Sequence, residues 1–190
     1  ANGECLFAWR DAISSSTCPR ILCTTVEFSI RGIRLGSQLD VLDATPLVLG
    51  ADVEPFDLAL AAADDGSYAI AAERNWTVGV RTLARDGTLS REVIREGRQP
   101  ALARVANQWM LVREHAHRVI AMRFDANAAG SDLTLFRDAQ ARLQPDVAAD
   151  GARALVTYER TTRDEPAGGV ARVYVSTIEP PRGRVRAVAH

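Results

Sequence analysis

The sequence predicts an all-β fold, a β-propeller built of four-stranded antiparallel blades, with about four blades in the chain and the first lacking its innermost strand. Three observations predict it. Pro55, Pro100 and Pro145 recur at a spacing of 45 residues, and each opens a short apolar run. A turn and a second, longer apolar run follow each of them. Gly, Pro and Asp-Gly breaks interrupt every stretch before three helical turns can accumulate. A β-sandwich would show alternation without this period, so the period selects blades.

Strand A of each unit is the proline-led run, at Asp57-Leu58-Ala59-Leu60, Ala101-Leu102-Ala103 and Asp146-Val147-Ala148. The turn after it is marked by Asp65-Gly66, Asn107-Gln108 and Asp150-Gly151, and Asn2-Gly3 holds the same place at the head of the chain. On that reading the chain enters its first unit inside a hairpin, and the missing strand must come from the C-terminal residues or from another chain.

Strand B is nearly continuously apolar and ends in charge: Cys5 to Asp11, Tyr68 to Arg74, Trp109 to Glu114 and Ala154 to Arg160. Such a strand is expected between two neighbouring sheets, with no wet face. Strand C alternates more closely at Ile30 to Leu35, Val78 to Leu83, Val119 to Phe124 and Arg172 to Val175, which predicts partial exposure. Strand D falls at Pro46 to Leu49, Ser90 to Ile94, Leu133 to Phe136 and Arg184 to Val188. The units run over about 1–51, 52–97, 98–140 and 141–190, together one propeller domain or part of one.

The 23 basic residues are all arginine and are interspersed among 24 carboxylates, for a net charge of −1. Phosphate neutralisation needs a one-sided basic cluster, so nucleic acid is not an expected partner. No run of 18 apolar residues is present and no membrane span is expected. Cys18 and Cys23 bracket a short segment in a Ser/Thr-rich stretch and predict a loop-closing disulfide, hence an oxidising compartment: secreted or extracellular, in the periplasm or at a cell surface. Cys5 is then left over, as a free thiol or as an interchain bond to a companion polypeptide.

The run Cys5-Leu6-Phe7-Ala8-Trp9-Arg10-Asp11, with Ile30-Arg31-Gly32-Ile33-Arg34-Leu35 and Val41-Leu42-Asp43 after it, resembles the degenerate propeller repeats of secreted bacterial proteins. The resemblance spans the chain and is strongest in the first two units; the Trp position is Ala72, Arg113 and Tyr158 in the others. It implies a scaffold, and such repeats carry no family-wide catalytic residues.

Few residues stand out for chemistry. The acid that ends strand B (Asp11, Glu73, Glu114, Glu159) and the arginine of strand C (Arg34, Arg81, Arg123, Arg172) recur, and they are read as exposed cross-strand pairs within each blade. Glu114, His115 and His117 form the one histidine cluster, placed in a B–C turn without a third metal ligand nearby. Ser14 to Ser16 read as a loop insertion without the setting of an activated serine. Trp9 and Trp109 belong to strand B and to the core, whereas Trp76 lies in a tight turn after Arg74-Asn75, where an indole has few ways to be buried. Trp76 is therefore the predicted ligand or partner contact; no catalytic residue, metal site or cofactor is predicted. The expected function is a non-catalytic scaffold for a protein or carbohydrate, with a companion chain completing the propeller. The alternative is a glycosidase-like hydrolase using acids at the channel mouth, which would require paired, deeply placed carboxylates.

Overall fold

A computed structural model of the chain describes residues 3–17, 24–50, 55–137, 144–161, 171–178 and 185–188. Every regular element among them is a strand, and each sheet is a simple antiparallel meander. Sheet 1 has three strands, β1 (Cys5–Thr17), β2 (Thr24–Leu35) and β3 (Leu47–Gly50). Sheet 2 has four, β4 (Pro55–Ala62), β5 (Tyr68–Arg74), β6 (Thr77–Leu83) and β7 (Val93–Glu96). Sheet 3 comprises β8 (Arg98–Val105), β9 (Gln108–Glu114), β10 (Arg118–Phe124) and β11 (Gly130–Arg137). Sheet 4 comprises β12 (Pro145–Ala149), β13 (Ala154–Thr161), β14 (Ala171–Ile178) and β15 (Val185–Val188). All four expected strand types are present, and in sheet 1 the place of strand A beside β1 is empty among the described residues.

The sheets succeed one another side by side through their first strands, β4 against β8 and β8 against β12, with a parallel bridge from Val105 to Gly151. Three apolar layers fill the gaps. Between sheets 1 and 2 lie Ile30, Leu49, Tyr68, Ile70, Ala72 and Leu83. Ala69, Ala71, Val80, Trp109, Leu111 and Met122 fill the next gap, and Met110, Val112, Ala121, Val156 and Tyr158 the last. Along β5 and β9, alternate residues feed the two adjacent layers, which is why these strands carry no polar period: both faces are interior. The outer strand β11 is mostly exposed, as its polar sequence requires.

Several expectations are corrected. Strand C of the two central sheets is buried, with β6 and β10 exposing little beyond their arginines, because sheets on both sides cover it; partial exposure holds only toward the ends of the series. Ser14 to Ser16 lie inside β1, not in a loop, since β1 and β2 form a long hairpin paired from Cys5↔Leu35 to Thr17↔Thr24. Cys18 and Cys23 lie outside the described residues, and Cys5 is a free, exposed cysteine. In the two central sheets the recurring acids are not exposed cross-strand partners of the strand C arginines. Glu73 and Glu114 stand opposite Val78 and Val119 and are buried. Glu73 accepts the backbone N–H of Gln99 from the next sheet at 2.7 Å, so this acid joins blades instead of pairing within one. Arg34 donates to Asp43, with Nη2 at 2.5 Å from Oδ1, and also to the carbonyl of Arg85 in sheet 2. Arg81 reaches Glu92 at 3.6 Å. In sheet 1 the partner of Asp11 is Arg31, at 3.6 Å.

Candidate functional site

At one end of the two central sheets the β5–β6 turn, the β9–β10 turn and the β7–β8 connection meet around a cleft of about 640 Å³ lined by Asn75, Trp76, Glu96, Arg98, His115 and His117, among others. Both turns are two-residue hairpin connections with left-handed backbone at each position: φ is 44° and 67° at Asn75 and Trp76, and 49° and 60° at Ala116 and His117. That geometry matches the twist of the flanking strands and is ordinarily filled by Asn-Gly. Asn75 suits it and histidine is tolerated there, whereas tryptophan at the second position is strained. Among the described residues, five of the eight non-glycine residues with positive φ (Asn75, Trp76, Gln99, Ala116 and His117) fall at this end of sheets 2 and 3. Backbone strain concentrated in one place is the mark of a site in which side-chain identity outweighs local stability.

Strain places the indole outside the fold. Trp76 is 69% exposed, and its backbone carbonyl is held by the N–H of Gly97 at 2.8 Å. The guanidinium of Arg98 lies 4.8 Å from the indole centroid, on one face of the ring. Arg98 in turn places Nε 2.5 Å from Oε2 of Glu114, whose side chain is almost wholly buried. Behind it, Arg113 donates from Nε to the carbonyl of Glu96 at 2.8 Å and from Nη2 to Asp132 at 2.6 Å, while its buried Nη1 finds no partner among the described residues. His115 Nε2 sits 3.3 Å from Oε2 of Glu96, an ion pair when the imidazole is protonated. Glu73, beside this assembly, is held above the usual carboxylate range, first by burial and further by the nearby charges of Asp57 and Glu114, against the N–H of Gln99 that favours the anion.

The arrangement offers an aromatic platform backed by a cation, two carboxylates and two imidazoles around an open cleft. Among the described residues no group of three or more His, Cys, Asp or Glu gathers in a way that would hold a metal ion. Of the residues singled out in the sequence, Trp76 lies on this cleft together with His115 and His117, and Glu114 supports it from below. Trp109 is in the core as expected. Trp9 is instead on the outward face of sheet 1, its ring 5.8 Å from that of Phe7. Sequence reasoning missed Arg98 and Glu96. Their signal was present in the Glu96-Gly97-Arg98 step directly ahead of Pro100, the joint between two units, where the chain must pass from an outer strand back to an inner one.

No protein-family model and no curated protein matches the chain. Solved structures do. The GH43_1 enzyme from Xanthomonas citri, complexed with xylotriose, aligns at TM-score 0.51 and 11% identity, covering 98% of this chain and 69% of that one. TolB from Acinetobacter baumannii aligns at 0.48 and 14% identity over 85% of this chain and 40% of that one. The α-L-arabinanase from Cellvibrio cellulosa aligns at 0.45 and 13% identity, over 96% and 73%. The fold is a β-propeller. At these identities the likeness is one of backbone architecture alone.

Proposed function

We propose that this propeller is a non-catalytic binding module, and that its ligand is a carbohydrate seated in the Trp76 cleft. The observation that carries the reading is the exposed indole in a left-handed turn position, a placement that costs backbone stability and leaves one ring face open beside the cleft. A pyranose or furanose ring presents an apolar C–H face suited to stacking on the side of the indole away from Arg98, and its hydroxyls would find Glu96, Arg98, His115 and His117 within the same cleft. Under this reading the chain is one of the degenerate propeller repeats of secreted bacterial proteins, working in an oxidising compartment. A companion polypeptide then supplies the strand beside β1, with Cys5 near the joint.

Titration of neutral oligosaccharides selected on a glycan array tests the reading. Trp76→Ala is expected to weaken the best binder by at least about tenfold, the equivalent of about 1.4 kcal/mol, with thermal stability unchanged. Equal binding by the parent chain and the variant would remove Trp76 from the ligand and the reading with it. The second reading, a hydrolase, is favoured by one observation: a buried carboxyl, Glu73, raised above its ordinary range and near two further acids. It requires that Glu73→Gln abolish oligosaccharide cleavage, whereas a binding module shows no cleavage to abolish.

A further inference from the structure

The internal repeat supplies a standard for every sheet face, because residues at equivalent register in the four sheets can be compared directly. Strand B residues that look toward the preceding sheet are Tyr68, Ile70 and Ala72 in sheet 2, Trp109, Leu111 and Arg113 in sheet 3, and Ala154, Val156 and Tyr158 in sheet 4, and none is more than 4% exposed. Their counterparts in sheet 1 are Cys5, Phe7 and Trp9, and Phe7 is 60% exposed. Val48, across β2 on the same face, is 45% exposed.

The far end of the series repeats the pattern in reverse. In strand C, Val78 and Val119 stand opposite the buried acids Glu73 and Glu114, look toward the following sheet, and are each 0% exposed. The counterpart in sheet 4 is Val173, opposite Glu159, and it is 67% exposed, with Leu155 also exposed on that face. Sheet 1 thus presents an uncovered face of the kind that looks backward along the series, and sheet 4 one of the kind that looks forward. Each is one half of an interface that the chain makes three times within itself.

We propose that a further blade-like antiparallel sheet, outside these 190 residues, packs between the outward faces of sheets 4 and 1. One such sheet carries both kinds of face and so buries both surfaces at once, continuing an interface already built three times. The chain's course favours a single added sheet over a second copy. A ring of two copies needs each to occupy half, whereas 98% of this chain follows 69% of one propeller chain, more than half of it. The inference is independent of the ligand reading and goes beyond a missing strand beside β1, because it concerns faces, not an edge.

Hydrogen–deuterium exchange and sedimentation provide the test, on the 190-residue chain and on the same chain extended at its C-terminus, through a flexible linker, by a copy of its own residues 98–140. In the extended chain, amides of β1 and β14 should exchange at least tenfold more slowly and the melting temperature should rise. Phe7→Glu with Val173→Glu should cancel both gains while leaving the unextended chain as stable as before. Unchanged exchange in the extended chain overturns the proposal. So does a monomeric, unextended chain in which Phe7 and Val173 are already protected, which would mean that the ring closes on itself. A concentration-dependent dimer protecting those faces would overturn it in favour of a second copy.

Discussion

The two ends of sheet 2 obey different rules. At one end the A–B and C–D turns use the residues that the backbone asks for: Gly66 and Gly87 take φ of 83° and 90°, each after an aspartate, Asp65 or Asp86, that accepts the N–H of Ser67 or Thr88. Both aspartates are held below the usual carboxylate range by these hydrogen bonds, from Ser67 in one case and Thr88 in the other. At the opposite end, Trp76 occupies a left-handed position that glycine would fill without strain, as does His117 at the same end of sheet 3. Positive φ is thus met by glycine at one end of sheet 2 and by Asn75 and Trp76 at the other. Trp76 and His117, the residues at the second position of the two turns, both line the cleft.

The largest effect that separates the ends is expected at Gly66. Gly66→Ala must place a Cβ at positive φ and 3.2 Å from the Arg85 side chain, and should destabilise the fold by about 1 to 2 kcal/mol in denaturant titrations. Trp76→Gly should do the reverse, leaving stability unchanged or raising it by up to about 1 kcal/mol once the lost stacking on Arg98 is set against the relieved backbone. A large loss there would break the comparison, because it would make Trp76 a structural residue.

The smallest effect is one of pH. The folded carboxyl of Glu73 is raised from an ordinary value of 4.5, so its contribution to stability is fully present below that pH and is lost as pH rises through the folded value. Glu73→Gln keeps an acceptor for the N–H of Gln99 and removes the titration. The variant should therefore lose less stability than the parent between acid and neutral pH, as read from melting temperatures across that range.

Much of the fold was legible because it is local and repeated. The proline cadence, the Asp-Gly turns and the continuous apolar character of strand B placed the strands of sheets 2 to 4 within a few residues, and β5 at Tyr68–Arg74 to the residue, whereas the long β1–β2 hairpin of sheet 1 was cut six residues short on each strand. Trp76 was legible for a related reason, since a bulky aromatic between Asn75 and Thr77 has no place in a tight turn. The pairing of charges was not. Arg34 and Arg81 recur in step with Asp11 and Glu73, yet Arg34 takes Asp43 and Arg81 takes Glu92, while Glu73 takes a backbone group from the neighbouring sheet. These partners come from the connection after strand C, from the approach to strand D and from the backbone of the next sheet, and a one-dimensional period carries no information about them.

The sequence by itself determined the number and order of strands, the positions of the Asp-Gly turns and the exposure of Trp76, because each follows from spacing within some ten residues of chain. The tertiary structure alone decided which faces are covered, that strand C is interior in the central sheets and open toward the ends, and that Arg98 bridges Trp76 and Glu114. Burial depends on what lies on the other side of a sheet, and the other side is always a different unit of the repeat.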